Sequence, residues 1–328
     1  MKYRSFPSVP NMSVLAMSIL AFLLLGHFGA PSARADAAAK GKPKVYIAFH
    51  WHMHQPIYWP YEQITETVEN PDCSDAVIEY LTWPDRIGAY THYPIQTIER
   101  HSHLPHSGAQ ISFSGSLIEN INDLAAAGIG YGRNWMDYYR KARSWRTSLG
   151  NPRLDLVGFG YHHPLMPLCG YVDTRKQIQR HRKILLDTFG GSYSKGIFPP
   201  ENAFSERIIP ALVDEGFEWV FVDNIHFDRA NEDYPWTPGQ IIAPPNRASA
   251  RNDPQNHYEA LTCQQNTVNM VSTGFAFRPH WCQYVDPETG KALTPEGNPA
   301  KMIVVPTERS IGYDDSYGDR SPIPRIKQ

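Results

Sequence analysis

Short apolar runs, each ended by polar or ionisable side chains, recur along the chain and alternate with stretches of helical period. Residues 45–49, 109–113, 154–161, 196–198, 217–222, 270–277 and 302–305 are the expected strands. Residues 85–99, 117–124 and 174–188 are the expected amphipathic helices, the last a solvated outer one. Seven strands with helices between them predict an α/β fold, either a parallel β/α barrel or an open β/α sheet. Residues 58–83 read as an aromatic loop. Residues 228–269 are polar, proline-containing and weakly periodic, which suits a lid or small insertion over a cleft.

The stretch from Gly196 to Phe227 carries the most information. A short strand is stopped by Pro199 and Pro200, neither of which can donate to a ladder. Glu201 follows at once, so a carboxylate sits at a strand's C-terminal end on stiffened backbone. Ser205 is the expected N-cap of the next helix. Ile208, Ile209, Ala211 and Leu212 form its buried stripe, Pro210 lies near its start, and Gly216 follows its last turn. A near-continuous apolar strand then ends in Asp223, Asn224 and His226, as a strand buried on both faces does. In barrels and open α/β sheets the active site lies at that end of the strands.

Other strand ends repeat the pattern. The first runs into His50-Trp51-His52-Met53-His54-Gln55-Pro56, and alternate positions of a strand share a face. Neutral imidazoles there suit a metal or the hydroxyls of a substrate equally. The third ends in His162-His163-Pro164. One rim thus collects His50, His52, His54, Glu119, His162, His163, Glu201, Asp223, His226 and Glu308, while Arg278, His280 and Trp281 follow the sixth strand. A carboxylate such as Glu201 can attack an anomeric carbon while a second carboxyl group protonates the leaving oxygen.

Composition narrows the partners. The chain has 328 residues and a formal net charge of −2 without a basic stripe, which argues against nucleic acid. Aromatic residues make up 12% of it, many near apparent loop ends, where their faces suit a sugar ring. Lys2 and Arg4 precede an apolar run at residues 14–25, and Ala33-Arg34-Ala35 fits a cleavage site. Residues 1–35 are therefore expected to be a signal peptide cut after Ala35, with residues 36–43 a linker and 44–328 the barrel domain. Secretion or a periplasmic location follows, with no stable membrane insertion after cleavage; an uncleaved anchor is the alternative. Cys73, Cys169, Cys263 and Cys282 allow three pairings, of which Cys263 with Cys282 is the most local.

The sequence resembles glycoside hydrolase family 57. His52-Met53-His54-Gln55-Pro56 looks like that family's first motif and Gly115 to Glu119 like its second. Tyr161-His162-His163-Pro164 and Phe198-Pro199-Pro200-Glu201 match two further blocks. The resemblance covers roughly residues 44–318. It implies a distorted (β/α)7 barrel and retaining action on α-glucans, with family activities that include α-amylase, 4-α-glucanotransferase, branching enzyme and α-galactosidase. It also implies Glu201 as nucleophile, with His52, His54 and Glu119 lining the sugar site. Gln55, His162, His163, Asp223, His226 and Trp281 complete the expected substrate contacts. No cofactor or metal is expected.

One element departs from the family pattern. The family's general acid is an aspartate well downstream of the nucleophile, and its motif is not found here. Asp314 and Asp315 are the late aspartates nearest a strand end and stand as candidates. The abrupt finish after Pro322 suggests a shortened or fragmentary chain, with a barrel left incomplete at its C-terminal end. Two alternatives stay open: a metal-dependent barrel hydrolase of deacetylase or amidohydrolase type, and a non-catalytic glycan-binding remnant lacking the acid.

Overall fold

The computed structural model of the chain describes residues 47–67, 76–224, 226–227 and 277–308. Its strands are β1 (His50–Met53), β2 (Ala109–Phe113), β3 (Leu154–Leu156), β4 (Gly196–Ile197), β5 (Trp219–Asp223), β6 (His280–Gln283) and β7 (Lys301–Thr307). Its helices are α1 (Ile64–Thr67), α2 (Ala76–Thr82), α3 (Pro84–Thr91), α4 (Tyr93–Arg100), α5 (Gly115–Ala127), α6 (Asp137–Ala142), α7 (Tyr171–Phe189) and α8 (Ile209–Asp214).

β1, β2 and β3 pair in parallel in that order, and β4, β5 and β7 do the same, with β6 antiparallel on the outer edge of β7. A parallel bridge from Gly158 to Ile197 joins the two ladders. Gly158 N donates to Gly196 O at 2.8 Å, and Phe198 N donates to Gly158 O at 3.0 Å. A side chain at Gly158 would not fit, because its Cβ would lie 2.4 Å from the Phe217 ring. The expected α/β class with parallel strands is therefore what is observed.

The sheet is strongly curved. β1 and β5 are four places apart in the strand order, about 19 Å across a flat sheet. Yet the His50 ring centroid lies 4.9 Å from that of Phe221 and 4.6 Å from that of Phe198. The curvature lets side chains of β1 meet those of β5 and of the turn after β4 across the inner face. Among the described residues no ladder joins β6 back to β1.

Local sequence explains the elements. Ser114 caps α5 by accepting from Leu117 N at 3.2 Å, and Gly128 ends it at φ 73°. Leu117, Ile118, Ile121 and Leu124 on its inner face are fully buried in the core cluster that also holds Ile111 and Phe113 of β2. Each such side chain contributes about 1.5–3 kcal/mol of burial. The expected cap at Ser205 accepts from Arg207 N, and Ile208, Ile209, Ala211 and Leu212 are all buried. α7 is more than an outer helix, because Ile178, His181, Leu185 and Phe189 are buried along it. His181 Nε2 donates to Phe113 O at 2.7 Å, so Nδ1 accepts from Tyr193 Oη at 2.6 Å.

Several expectations are corrected. Residues 47–49, expected within the first strand, precede it: pairing begins at His50 with Gln110, Ile47 and Phe49 are exposed, and residues 45 and 46 lie outside the described residues. The helix expected at 85–99 is two, α3 and α4, because Pro94 has no N–H for the preceding turn. The loop expected at 58–83 contains α1 and α2. Of the strand expected at 270–277 only Phe277 is among the described residues, and it is not in a strand; β6 follows it and is antiparallel to β7. Cys169 and Cys282 are free thiols among the described residues, and the Cys263 partner of the most local expected pairing lies outside them. The signal segment, the lid at 228–269, Cys73, Cys263, Asp314 and Asp315 lie outside the described residues.

α7 and α8 are held by one buried carboxylate. Glu215 is 3% exposed and accepts from Arg175 Nε at 2.7 Å, Gln179 Nε2 at 2.7 Å and Arg182 Nη1 at 3.1 Å. Those donors sit at positions i, i+4 and i+7 of α7, one face of the helix. Glu215→Ala is expected to cost about 2–4 kcal/mol in urea denaturation, less than a fully buried pair because both guanidiniums keep some solvent. Lys183→Ala, which removes the exposed Lys183–Asp187 pair, is expected to stay within about 0.5 kcal/mol.

Candidate active site

The site begins with a register. β1 lies on β2 with His50 opposite Gln110 and His52 opposite Ser112. Alternation then turns His50, His52 and His54 to one face. His50 Nε2 lies 3.1 Å and His52 Nδ1 2.9 Å from the same Ser112 Oγ, while His54 Nδ1 lies 2.9 Å from Ser114 Oγ. Phe159 and Phe198 pack their rings on His52, at centroid distances of 4.9 and 5.2 Å.

The loop after β3 adds His163. Its ring stacks on His54 with centroids 3.8 Å apart and planes 24° apart, and its Nε2 lies 3.2 Å from His52 Nε2. The turn after β4 adds Glu201, whose Oε1 lies 3.5 Å from His163 Nε2. Glu201 is 69% exposed at its side chain and His163 12%. The carboxylate is thus presented outward beside a cluster of imidazoles.

Backbone strain concentrates where these two groups meet. His163, Glu201 and Asn202 have φ of 60°, 57° and 55°. A left-handed backbone costs a residue with a Cβ about 1–2 kcal/mol, and such outliers gather at functional sites. The turn persists because Pro199 and Pro200 restrict its entry and Asn202 Nδ2 donates to Thr307 Oγ1 at 2.5 Å. Asn202 Oδ1 and both amide atoms of Asn224 are buried without a hydrogen-bond partner among the described residues. They stand at the C-terminal ends of β4 and β5.

Burial sets the charge state of the imidazoles. It lowers His50 to about 3 and His54 to about 4. It also lowers His52 well below the ordinary value, helped by His163, and lowers His163 despite the neighbouring Glu201. At neutral pH the cluster is uncharged, so its nitrogens serve as hydrogen-bond donors and acceptors. Among the described residues no group of three or more His, Cys, Asp or Glu is arranged to hold a metal ion.

The remaining expected contacts divide. Glu119 accepts from the Tyr161 hydroxyl, and Tyr161 lies over Gly115, where a Cβ would come within 2.3 Å of its ring. Glu119, Tyr161 and His162 line a cleft of about 930 Å³ with Tyr61, Glu62 and Arg180. Its described lining contains none of His52, His54, His163 and Glu201. The Gln55 side chain is turned elsewhere, donating to Tyr90 Oη at 3.2 Å and accepting from Tyr58 Oη at 2.5 Å. Asp223 ends β5 opposite Thr307, and His226 is exposed just beyond. Trp281 is displaced from the rim: β6 runs antiparallel, so Trp281 stands opposite Ile303, level with the start of β5, under Lys301 Nζ at 5.1 Å. Sequence reading missed Ser112, Ser114 and Asn202. Placing β1 against β2 would have exposed the two serines.

The glycosyl hydrolase family 57 model matches residues 48–271. An alpha-amylase from Niallia circulans is 29% identical over 347 residues, covering 91% of this chain and 26% of that protein. The chain thus spans about a quarter of the amylase's length. A solved 4-alpha-glucanotransferase from Thermococcus litoralis aligns with 83% of this chain and 29% of its own, at 17% identity and TM-score 0.45. A branching enzyme of family 57 from Thermococcus kodakaraensis aligns with 84% of this chain and 50% of its own, at 15% identity and TM-score 0.43.

The buried histidines couple stability to pH. Their folded pKa values lie below the unfolded value near 6.5, so on acidification the unfolded chain takes up protons first. Stability is full above about pH 6.5 and falls as pH drops towards 4. For His50, the slope over that window is up to about 1.4 kcal/mol per pH unit. Urea denaturation between pH 4.5 and 7 is expected to show a shallower slope in His50→Asn than in the wild type.

Proposed function

The chain belongs to glycosyl hydrolase family 57, and from that premise we propose that it is an exported carbohydrate-active enzyme that cleaves or transfers α-glucan chains with retention, using Glu201 as nucleophile. The observation that carries this reading is the backbone of Glu201. A non-glycine residue is held at φ 57° on a proline-stiffened turn at a strand's C-terminal end, with its carboxylate facing solvent and His163 beside it.

The chemistry follows from the geometry. Glu201 attacks the anomeric carbon, the glycosidic C–O bond breaks, and a carboxylic acid elsewhere protonates the departing oxygen. Water, or the hydroxyl of a second sugar, then displaces Glu201 from the same face on which the leaving group stood, so configuration is retained. Neutral His54, held through Nδ1 by Ser114, turns its other nitrogen to a sugar hydroxyl, while His52 and His163 stand behind it and beside Glu201. Asp314 and Asp315 are the proposed sources of the acid. Export rests on Lys2, Arg4, the apolar run at 14–25 and Ala33-Arg34-Ala35.

The test is turnover of α-glucans and aryl α-glycosides by the purified mature chain. Glu201→Ala is expected to lose at least about 10³-fold in kcat. Added azide, entering the space left by the carboxylate, is expected to restore turnover of an activated aryl glycoside and give the glycosyl azide of inverted configuration. Wild-type glycan binding without turnover would replace the enzyme reading by a binding one. Activity lost to a chelator and restored by a divalent metal would favour a metal-dependent hydrolase.

A further inference from the structure

The Ser112 hydroxyl is fully buried, and its hydrogen-bond partners among the described residues are His50 Nε2 and His52 Nδ1. A hydroxyl has one proton. Buried, it must give that proton to one of these nitrogens, and the other nitrogen must then bring its own. The serine therefore makes the two facing nitrogens opposite, one bare and one protonated.

The rest of the chain of contacts selects between the two arrangements. His52 Nε2 faces His163 Nε2 at 3.2 Å, and His163 Nε2 faces Glu201 Oε1 at 3.5 Å. Only one proton fits between two ring nitrogens. A Glu201 carboxylate needs a donor at His163 Nε2, since a bare nitrogen there sets a lone pair against an anion. With that N–H in place, His52 Nε2 must be bare, so its proton is on Nδ1 and points to Ser112. Ser112 then donates to His50 Nε2.

We propose, on the reading of Glu201 as nucleophile, that Ser112 is a positioning residue for it. Its hydroxyl holds His52 as the Nδ1–H tautomer, which leaves His163 Nε2–H shared between His52 and Glu201. The serine touches neither substrate nor carboxylate; it acts through two imidazoles. Burial supports this assignment, because uncharged rings have distinct tautomers to set. Ser114 does not substitute for it, as its hydroxyl meets His54, the α5 cap and Ser116.

Long-range ¹H–¹⁵N correlation of the imidazole nitrogens in the mature protein tests this independently of activity. The wild type is expected to show His50 and His52 as Nδ1–H tautomers and a proton on His163 Nε2. In Ser112→Ala, His52 is expected to move towards Nε2–H, and kcat on an α-glucan to fall roughly tenfold or more with KM within twofold. Ser112→Thr, which keeps the hydroxyl, is expected to keep the wild-type tautomers and rate. A wild-type His52 protonated on Nε2, a bare His163 Nε2, or unchanged tautomers in Ser112→Ala would overturn the proposal. Absent wild-type turnover would overturn the enzymatic reading alone, because the tautomers are read without it.

Discussion

The parallel register of β1 on β2 sets the position of every imidazole in the candidate site. His52 stands opposite Ser112, and the alternation of a strand carries that choice to His50 and His54. A slip of one residue would turn the histidines outward and bring Trp51 and Met53 to the face now lined by Phe159 and Phe198. The serine hydroxyls oppose that slip, since Ser112 and Ser114 are buried and lose three ring-nitrogen partners if the strand moves. Polar contacts worth about 1 kcal/mol each when made cost more when broken inside a core. That asymmetry makes the register specific where the hydrophobic pattern alone is not.

A second constraint is the strain at Glu201, Asn202 and His163. It cannot be stabilised by contacts of the exposed carboxylate, which has little around it to hold it. It is held from behind, by the two prolines, the Asn202–Thr307 bond and the β4–β5–β7 ladder. The same ladder depends on α8, whose end is clamped to α7 through Glu215. Helix packing on the outside of the sheet and backbone geometry on its rim are therefore parts of one mechanical unit.

How much of this the sequence disclosed can be argued from particular residues. Ser205, the stripe from Ile208 to Leu212 and Gly216 were legible because cap, period and stop signal agree there. Glu201 stood out because prolines before a polar residue leave few conformations, although its positive φ was not foreseeable. The break at Pro94 is a local effect that periodicity overrode in the reading. Trp281 failed for a different reason: its position follows from the direction of β6, and strand direction is a tertiary property. Ser112 failed likewise, as its meaning lies wholly in the neighbour it faces. The placing of Glu119 and His162 in a cleft whose described lining lacks Glu201 was equally beyond a one-dimensional pattern.

That placing does not make the two regions independent. Ser114 caps α5 and contacts His54, and Ser116 Oγ donates to Gln55 O at 2.6 Å while its backbone N–H donates to Tyr161 O at 2.9 Å. Gly115, between them, lies under the Tyr161 ring that bonds Glu119. The β2–α5 corner therefore fixes the imidazole wall on one side and the Tyr161–Glu119 pair on the other. A shift of the helix start by a few tenths of an ångström has to be absorbed by both, because close-packed interiors offer no slack between them.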